Sequence, residues 1–287
     1  MLRLRRAEGD TNPTLTEADL VADIAAASER GRDTVASVED ANGELLAGGN
    51  MEPVVRIGDT VRRVAGPWTP AVHELLRRYE SAGVVEVPRV FGLDEHGREV
   101  LSFIQGEMMT TLPPHVLWKQ SLLRSAGALL RRLHDAGEPL VSANGPWRQK
   151  SRTPMEVLCH NDFAPYNLIV RDEKLVGVID FDMASPGPRL WDLSYLAYRL
   201  VPYAEDAPDF EPVRDGGREQ RLRILIEAYG YDYTCEAVRR MSANYLDALA
   251  EFTDRRAEDT GRNDFVEHAA MYRRDAHRLR EGREADW

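Results

Sequence analysis

The chain has 287 residues, 43% of them hydrophobic and 30% charged, which is enough for one large domain or two lobes with a real core. Its 37 Lys and Arg are outnumbered by 48 Asp and Glu, giving a net charge of −11 and arguing against a nucleic-acid partner, since backbone recognition needs a basic footprint. The same acidity suits the steering of a cationic small molecule, and it serves plain solubility equally well.

Residues 1–13 read as unstructured. The opening Met1-Leu2-Arg3-Leu4-Arg5-Arg6 is basic, but no apolar core or cleavage-like site follows it. No apolar run approaches transmembrane length, so the expectation is a cytoplasmic protein with no membrane partner. Thr14-Leu15-Thr16-Glu17 has the spacing of a capping box, and Leu20, Val21, Ile24 and Ala27 then share one helical face.

Leu45-Leu46-Ala47 reads as a first strand running into a glycine-containing turn at Gly48-Gly49-Asn50. Val54–Ile57 and Thr60–Val64 read as two strands joined by Gly58-Asp59, a dipeptide that favours turns. Thr69-Pro70 predicts a helix start, with Thr69 as N-cap, and Val72, Leu75, Leu76 and Tyr79 as the buried stripe. Residues 87–91 and 99–104 predict two more strands. Leu122, Leu123, Ala126, Leu129, Leu130 and Leu133 predict a helix that stops at Gly137.

His160, Asn161 and Asp162 follow, within the run H-N-D-F-A-P-Y-N that ends at Asn167. Leu168–Val170, the turn Arg171-Asp172-Glu173-Lys174 and Leu175–Ile179 then predict a tight hairpin, with Asp180 at its end inside V-I-D-F-D. Phosphoryl transfer from ATP needs this set of side chains. One Asp orients the attacking hydroxyl and accepts its proton, while an Asn and a second Asp hold Mg²⁺ over the phosphates. Cys159, beside this run, reads as a small buried apolar residue, and with Cys235 it makes no disulfide framework. After an acidic loop at 202–212, helices are expected at 217–230, 232–254 and 262–281. Their acids include Asp247, Glu251, Asp254, Glu258 and Asp259.

These motifs resemble those of the aminoglycoside phosphotransferase and choline-kinase-like small-molecule kinases, which show H-G-D-x-x-x-x-N and then I-D-F/W-D or E. The likeness runs over residues 46–205 and is strongest after residue 120. Asn161 stands where the family has Gly. Leu129–His134 resembles the family's L-x-x-L-H helix end, and Trp191-Asp192-Leu193 its W-D-L segment. The resemblance implies an α+β, two-lobed protein-kinase-like fold, with a small antiparallel-sheet N-lobe and a mainly helical C-lobe. It implies an N-terminal extension at 1–44, a nucleotide-binding N-lobe at 45–106 and a catalytic and acceptor-binding C-lobe at 107–287.

The resemblance also implies that Asp162 is the catalytic base, that Asn167 and Asp180 are Mg²⁺ ligands, that His160 organises the loop and that Asp192 braces it. The backbone of Ser102 and Ile104 would hold adenine, and the Gly48-Gly49 turn either covers the phosphates or is a simple hairpin turn. The family's third-strand Lys is missing. Arg62 and Arg63 occupy that strand, and its period of two puts Arg63 on the face of Val61, so that if Val61 points toward the nucleotide Arg63 is the expected phosphate cation and Arg62 is solvated, the alternative being that both are surface strand arginines. The helix Glu that usually pairs with this cation is in doubt, because Glu74 points away from the buried stripe and His73 is better placed. Carboxylates of the late helices would bind substrate amines, or simply form a solvated face. The implied activity is ATP-dependent phosphorylation of a hydroxyl of a small molecule, with aminoglycoside-like and other cationic antibiotics as the leading acceptors, choline, amino alcohols and sugars open, and GTP open as donor. A nucleotide-binding homologue without catalysis, serving in immunity or regulation, is the alternative.

Overall fold

The structure, a computed structural model, describes residues 43–46, 54–142 and 145–282. The capping box at Thr14 and the glycine turn at Gly48-Gly49 lie outside the described residues. The N-lobe is an antiparallel sheet of β1 (Glu44–Leu46), β2 (Val54–Ile57), β3 (Thr60–Val64), β4 (Val90–Leu93) and β5 (Arg98–Ser102), in the order β1-β2-β3-β5-β4. Gly58-Asp59 closes the β2–β3 hairpin, and Gly58 takes the positive φ of 61° that such two-residue loops need.

Helix α1 (Thr69–Ser81) packs beneath this sheet, with Val72, Leu75, Leu76 and Tyr79 buried as the stripe predicts. Thr69 is not its N-cap. The helix begins at Thr69, and the Thr69 hydroxyl accepts instead from the Gly66 backbone N–H at 2.9 Å, fixing the bend that enters the helix. The chain then crosses to the second lobe through Phe103–Gly106. At Gly106 φ is 155°, and a Cβ there would come within 2.6 Å of the Val170 carbonyl, so the crossing needs glycine.

The C-lobe is built on α2 (Gln120–Gly137), whose Leu122, Leu123, Ala126, Leu129, Leu130 and Leu133 are all buried. A three-stranded sheet of β6 (Glu107–Met108), β8 (Leu168–Arg171) and β9 (Lys174–Val178) lies at the lobe junction, and β7 (Val157–Cys159) pairs with β10 (Ser185–Gly187). Asp172 and Glu173 both have positive φ, 51° and 58°, the geometry of a tight two-residue hairpin loop. Among the described residues, four further long helices belong to the lobe: α3 (Arg189–Leu200), α4 (Arg218–Tyr229), α5 (Cys235–Thr260) and α6 (Asn263–Glu281), beside the single turns Pro114–Leu117 and Pro212–Asp215. Helix α5 runs past the expected residue 254, because its inner face stays packed on α6 and α3. Fully buried Arg221 of α4 donates to the carbonyls of Leu200, Trp118 and Asp215. No described helix is long and apolar enough to cross a membrane.

Candidate active site at the lobe junction

The H-N-D run leaves β7 and turns sharply. Asn161 holds φ at 60°, a left-handed conformation that Asn tolerates better than most non-glycine residues. That explains why Asn can stand where the resemblance expects Gly. The turn is held from below by Asp192 of α3, fully buried, which accepts the backbone N–H groups of His160 (2.5 Å) and Asn161 (2.8 Å). His134, from the end of α2, meets the same carboxylate at 3.1 Å and the Tyr229 hydroxyl at 2.7 Å. Burial opposes ionisation of Asp192, but its hydrogen bond to His134 and the surrounding donors outweigh that and hold its carboxyl below the ordinary range.

Donor atoms of His134, Cys159 and Asp192 lie within 4.8 Å of one another. Both ring nitrogens of His134 and both oxygens of Asp192 are hydrogen-bonded, so the cluster is a brace, and Cys159 is buried beside it. Asp192→Ala would take the acceptor from the His160 and Asn161 N–H groups and from His134 Nε2. It should cost about 3–5 kcal/mol of stability, measured by denaturant unfolding. A loss below about 1 kcal/mol, the net worth of one ordinary hydrogen bond, would remove the brace from the account.

Four of the predicted site residues come together. His160 reaches the Ile179 carbonyl at 3.1 Å through Nε2, and Ile179 donates its N–H to the Asn167 carbonyl at 2.9 Å. These bonds tie the loop to the end of β9, where Asp180 takes a φ of 63°. A non-glycine residue held there is a local strain of the kind that clusters at functional sites. The Asn167 amide donates to the Asp162 carbonyl (2.9 Å) and carboxylate (3.0 Å), and Tyr166 donates its hydroxyl to the other Asp162 oxygen. Burial raises the Asp162 carboxyl above the ordinary range, helped by the Asp180 charge and opposed by Tyr166, His160 and Asn167.

Arg63 faces this group across the junction, as the strand period predicts. It donates to Asp180 at 3.2 Å, and also to Asp182 and Glu99. Burial alone would lower its pKa, but the three carboxylates outweigh that and raise it. Arg62 is not solvated. It lies on the other face of the sheet, where it donates to the Thr60 hydroxyl at 2.6 Å and meets Asp94 at 3.7 Å.

Neither His73 nor Glu74 touches Arg63 directly. Glu74 is exposed, and the partner is Glu99, directly opposite Arg63 in the β3–β5 register, with His73 behind it at 2.8 Å. Sequence reasoning missed Glu99. The signal was an acid inside the otherwise apolar Glu99-Val100-Leu101 run, now 1% exposed. It also gave no role to Asp182, whose burial and neighbouring acids raise its carboxyl pKa to about 6 against the pull of Arg63. Asn167, Asp180 and Asp182 offer oxygen donors alone, the chemistry that a hard divalent cation takes.

At the lobe crossing, the Ser102 N–H is spent on the Arg89 carbonyl at 2.9 Å, while the Ile104 N–H makes no hydrogen bond among the described residues. The Ile104 side chain lies so close to β9 that a Cβ on Gly177 would meet it at 2.7 Å. On the other side of Asn161 a shallow pocket opens, lined by Gln149, Arg152, Trp191, Tyr245, Leu249 and Phe252. The late-helix acids do not converge on it. Asp247 pairs with Arg280, Asp254 with Arg273 and the loop residue Glu205 with Arg274.

A loop braced from the following helix, two carboxylates and an amide at a hairpin end, and a strand cation across a lobe junction define a protein-kinase-like phosphotransferase fold. The phosphotransferase enzyme family is matched by residues 141–236. Over 217 residues the chain is 33% identical to the trifolitoxin immunity protein of Rhizobium leguminosarum bv. trifolii, spanning 72% of this chain and 79% of that protein. The choline/ethanolamine kinase family protein of Mesorhizobium loti superposes with a TM-score of 0.57 at 19% identity, over 88% of this chain and 94% of its own. A spectinomycin phosphotransferase in complex with ADP and spectinomycin superposes with a TM-score of 0.56 at 12% identity, over 83% and 93%. The chain belongs to the phosphotransferase enzyme family.

Proposed function

We propose that the chain moves the γ-phosphate of ATP to a hydroxyl of a small molecule with the help of Mg²⁺. The observation that carries this reading is the junction itself, where Asp162, Asn167 and Asp180 stand together opposite Arg63. The ADP bound to the spectinomycin phosphotransferase supports nucleotide use. Residues 45–106 would hold the nucleotide, with adenine against the Ser102 carbonyl and the Ile104 N–H, and residues 107–287 would supply catalysis and the acceptor site. Asp162 would orient the acceptor hydroxyl and take its proton. Tyr166 and Asn167 fix the angle of that carboxylate, and His160 and Asp192 hold its loop. Bound through Asn167 and Asp180, with Asp182 alongside, Mg²⁺ would neutralise phosphate charge. The acceleration then comes from positioning and charge, with no covalent intermediate required.

Arg63 would turn from Asp180 and Asp182 onto the phosphates, a planar fork suited to bidentate grip. Arg63→Ala should therefore lower kcat/KM for ATP by about tenfold or more, ~1.4 kcal/mol per power of ten. Arg62→Ala, on the outer face, should change it by less than about twofold, roughly 0.4 kcal/mol on the same scale. Equal losses in the two variants would mean that Arg63 does not touch the nucleotide.

A second reading is favoured by the name of the 33% identical relative, an immunity protein. The chain would then bind nucleotide, transfer nothing and protect by binding. Incubation with γ-labelled ATP, Mg²⁺ and a panel of hydroxyl compounds separates the two. Labelled acceptor is expected, whereas tight nucleotide binding with no labelled product across the panel would favour the second reading.

A further inference from the structure

The pocket beside Asn161 departs from what a cationic acceptor requires. Its floor is one stripe of α5, on which Tyr245, Ala248, Leu249 and Phe252 recur at helical spacing, with Trp191 of α3 beside them. Tyr245 stacks on Tyr195 with ring centroids 4.4 Å apart and packs against Trp191 at 4.6 Å, so the apolar floor is rigid. Asp247, Glu251 and Asp254 fall on roughly the opposite face of the same helix, and two of them are paired with α6 arginines.

Among the described residues, no acidic side chain lines the pocket. Its charged residue is Arg152, half-buried, whose guanidinium lies 4.1 Å over the Trp191 ring. Arg152 makes no ion pair among the described residues, and its hydrogen bond there is a long one, 3.4 Å, to the Asn161 side-chain oxygen. The Trp191 indole N–H is buried in the wall and has no partner among the described residues. A half-buried guanidinium over an aromatic floor fits a ligand that brings an anionic group and a flat apolar body. The aromatic floor alone would attract an ammonium group, but the Arg152 guanidinium already occupies the Trp191 face and repels a second cation.

We propose that the acceptor of this site is an apolar or aromatic hydroxyl compound carrying an anionic group, received by Arg152, and not a polycation. This rests on the phosphotransferase reading, in which Asn161 lies next to the base Asp162. The floor takes the ring, Arg152 takes the anion, and the hydroxyl is presented towards Asp162. The transfer balances simply. The acceptor O–H loses its proton to the Asp162 carboxylate, the new O–P bond forms as the bond between the β–γ bridging oxygen and γ-phosphorus breaks, and ADP leaves with the electron pair.

Three probes share one ring and one hydroxyl: 3-(4-hydroxyphenyl)propionate, its amide and tyramine. Their binding to the full chain, loaded with Mg²⁺ and ADP, is measured by saturation-transfer NMR and titration. ADP affinity is recorded on the same sample. The acid should bind at least tenfold tighter than the amide, and tyramine weakest. Arg152→Gln should bring acid and amide to within about twofold, roughly 0.4 kcal/mol, of each other while the amide itself still binds. Tyramine binding as tightly as the acid, no binding of the acid with ADP bound normally, or an acid-to-amide ratio unchanged by Arg152→Gln would each overturn the proposal and leave the nucleotide site standing. Loss of Mg²⁺-dependent ADP binding in the wild-type chain would instead condemn the phosphotransferase reading, and the proposal with it.

Discussion

Asp162→Asn should abolish transfer and leave nucleotide binding nearly intact. The carboxylate is held by Tyr166 and Asn167 and makes no ion pair among the described residues, so it is placed to act on an acceptor hydroxyl. Its amide keeps the size and most of the hydrogen bonding but cannot accept a proton. Loss of a positioned general base costs roughly 10²–10⁴-fold in rate. Turnover and calorimetric ATP titration on the same sample check both halves. Matched losses of binding and turnover would place Asp162 elsewhere in the cycle.

The wild-type pH profile carries the same argument. Because burial and the Asp180 charge raise the Asp162 carboxyl, it stays protonated to a higher pH than a free aspartate, whose pKa is about 3.9. Activity should therefore be lost as pH falls through this raised value, while Mg²⁺-dependent nucleotide binding, which does not use this carboxylate, should show no matching limb.

Asp180→Ala should abolish the effect of Mg²⁺ on nucleotide affinity. The side chain is 46% exposed at the end of β9 and strained in the left-handed region, and Arg63 is its cation in the structure. Titrations of ATP with Mg²⁺ and with EDTA should differ by about tenfold or more in the wild type, ~1.4 kcal/mol, and by less than about twofold in the variant. A preserved Mg²⁺ effect would move the metal away from Asp180. Arg63 also loses one of its three carboxylates in this variant, so a small gain in metal-free ATP affinity is expected.

Local patterns foretold most of this architecture. The period of two in Thr60–Val64 placed Arg63 at the junction, the leucine stripe at 122–133 placed α2, and the apolar pairs around Asp172-Glu173 placed the hairpin that delivers Asp180. What escaped was set by partners distant in the chain. Glu99 acquires its meaning from register, since nothing near it in sequence says that it stands opposite Arg63, 36 residues earlier. Arg62 was expected in solvent because strand alternation sends it to the outer face, but alternation is silent on Asp94, which the β4–β5 turn brings there. Asp247 and Asp254 read as free acids on α5 until α6 folds back with Arg280 and Arg273. Turned towards α6 and away from the pocket, they do not supply the anionic lining expected for an amine acceptor. The apolar stripe at Tyr245, Ala248, Leu249 and Phe252 was legible by spacing. Its exposure to a pocket rather than the core was not.

The most direct test of the junction is a crystal structure with Mg²⁺ and a non-hydrolysable ATP analogue. The account predicts metal on the Asn167 and Asp180 oxygens, Arg63 swung onto the phosphates, adenine against Ser102 and Ile104, and Asp162 facing the terminal phosphate across an open acceptor position. A nucleotide bound away from the junction, or Arg63 still locked on Asp180 and Asp182 with no metal between those carboxylates and the phosphates, would contradict it.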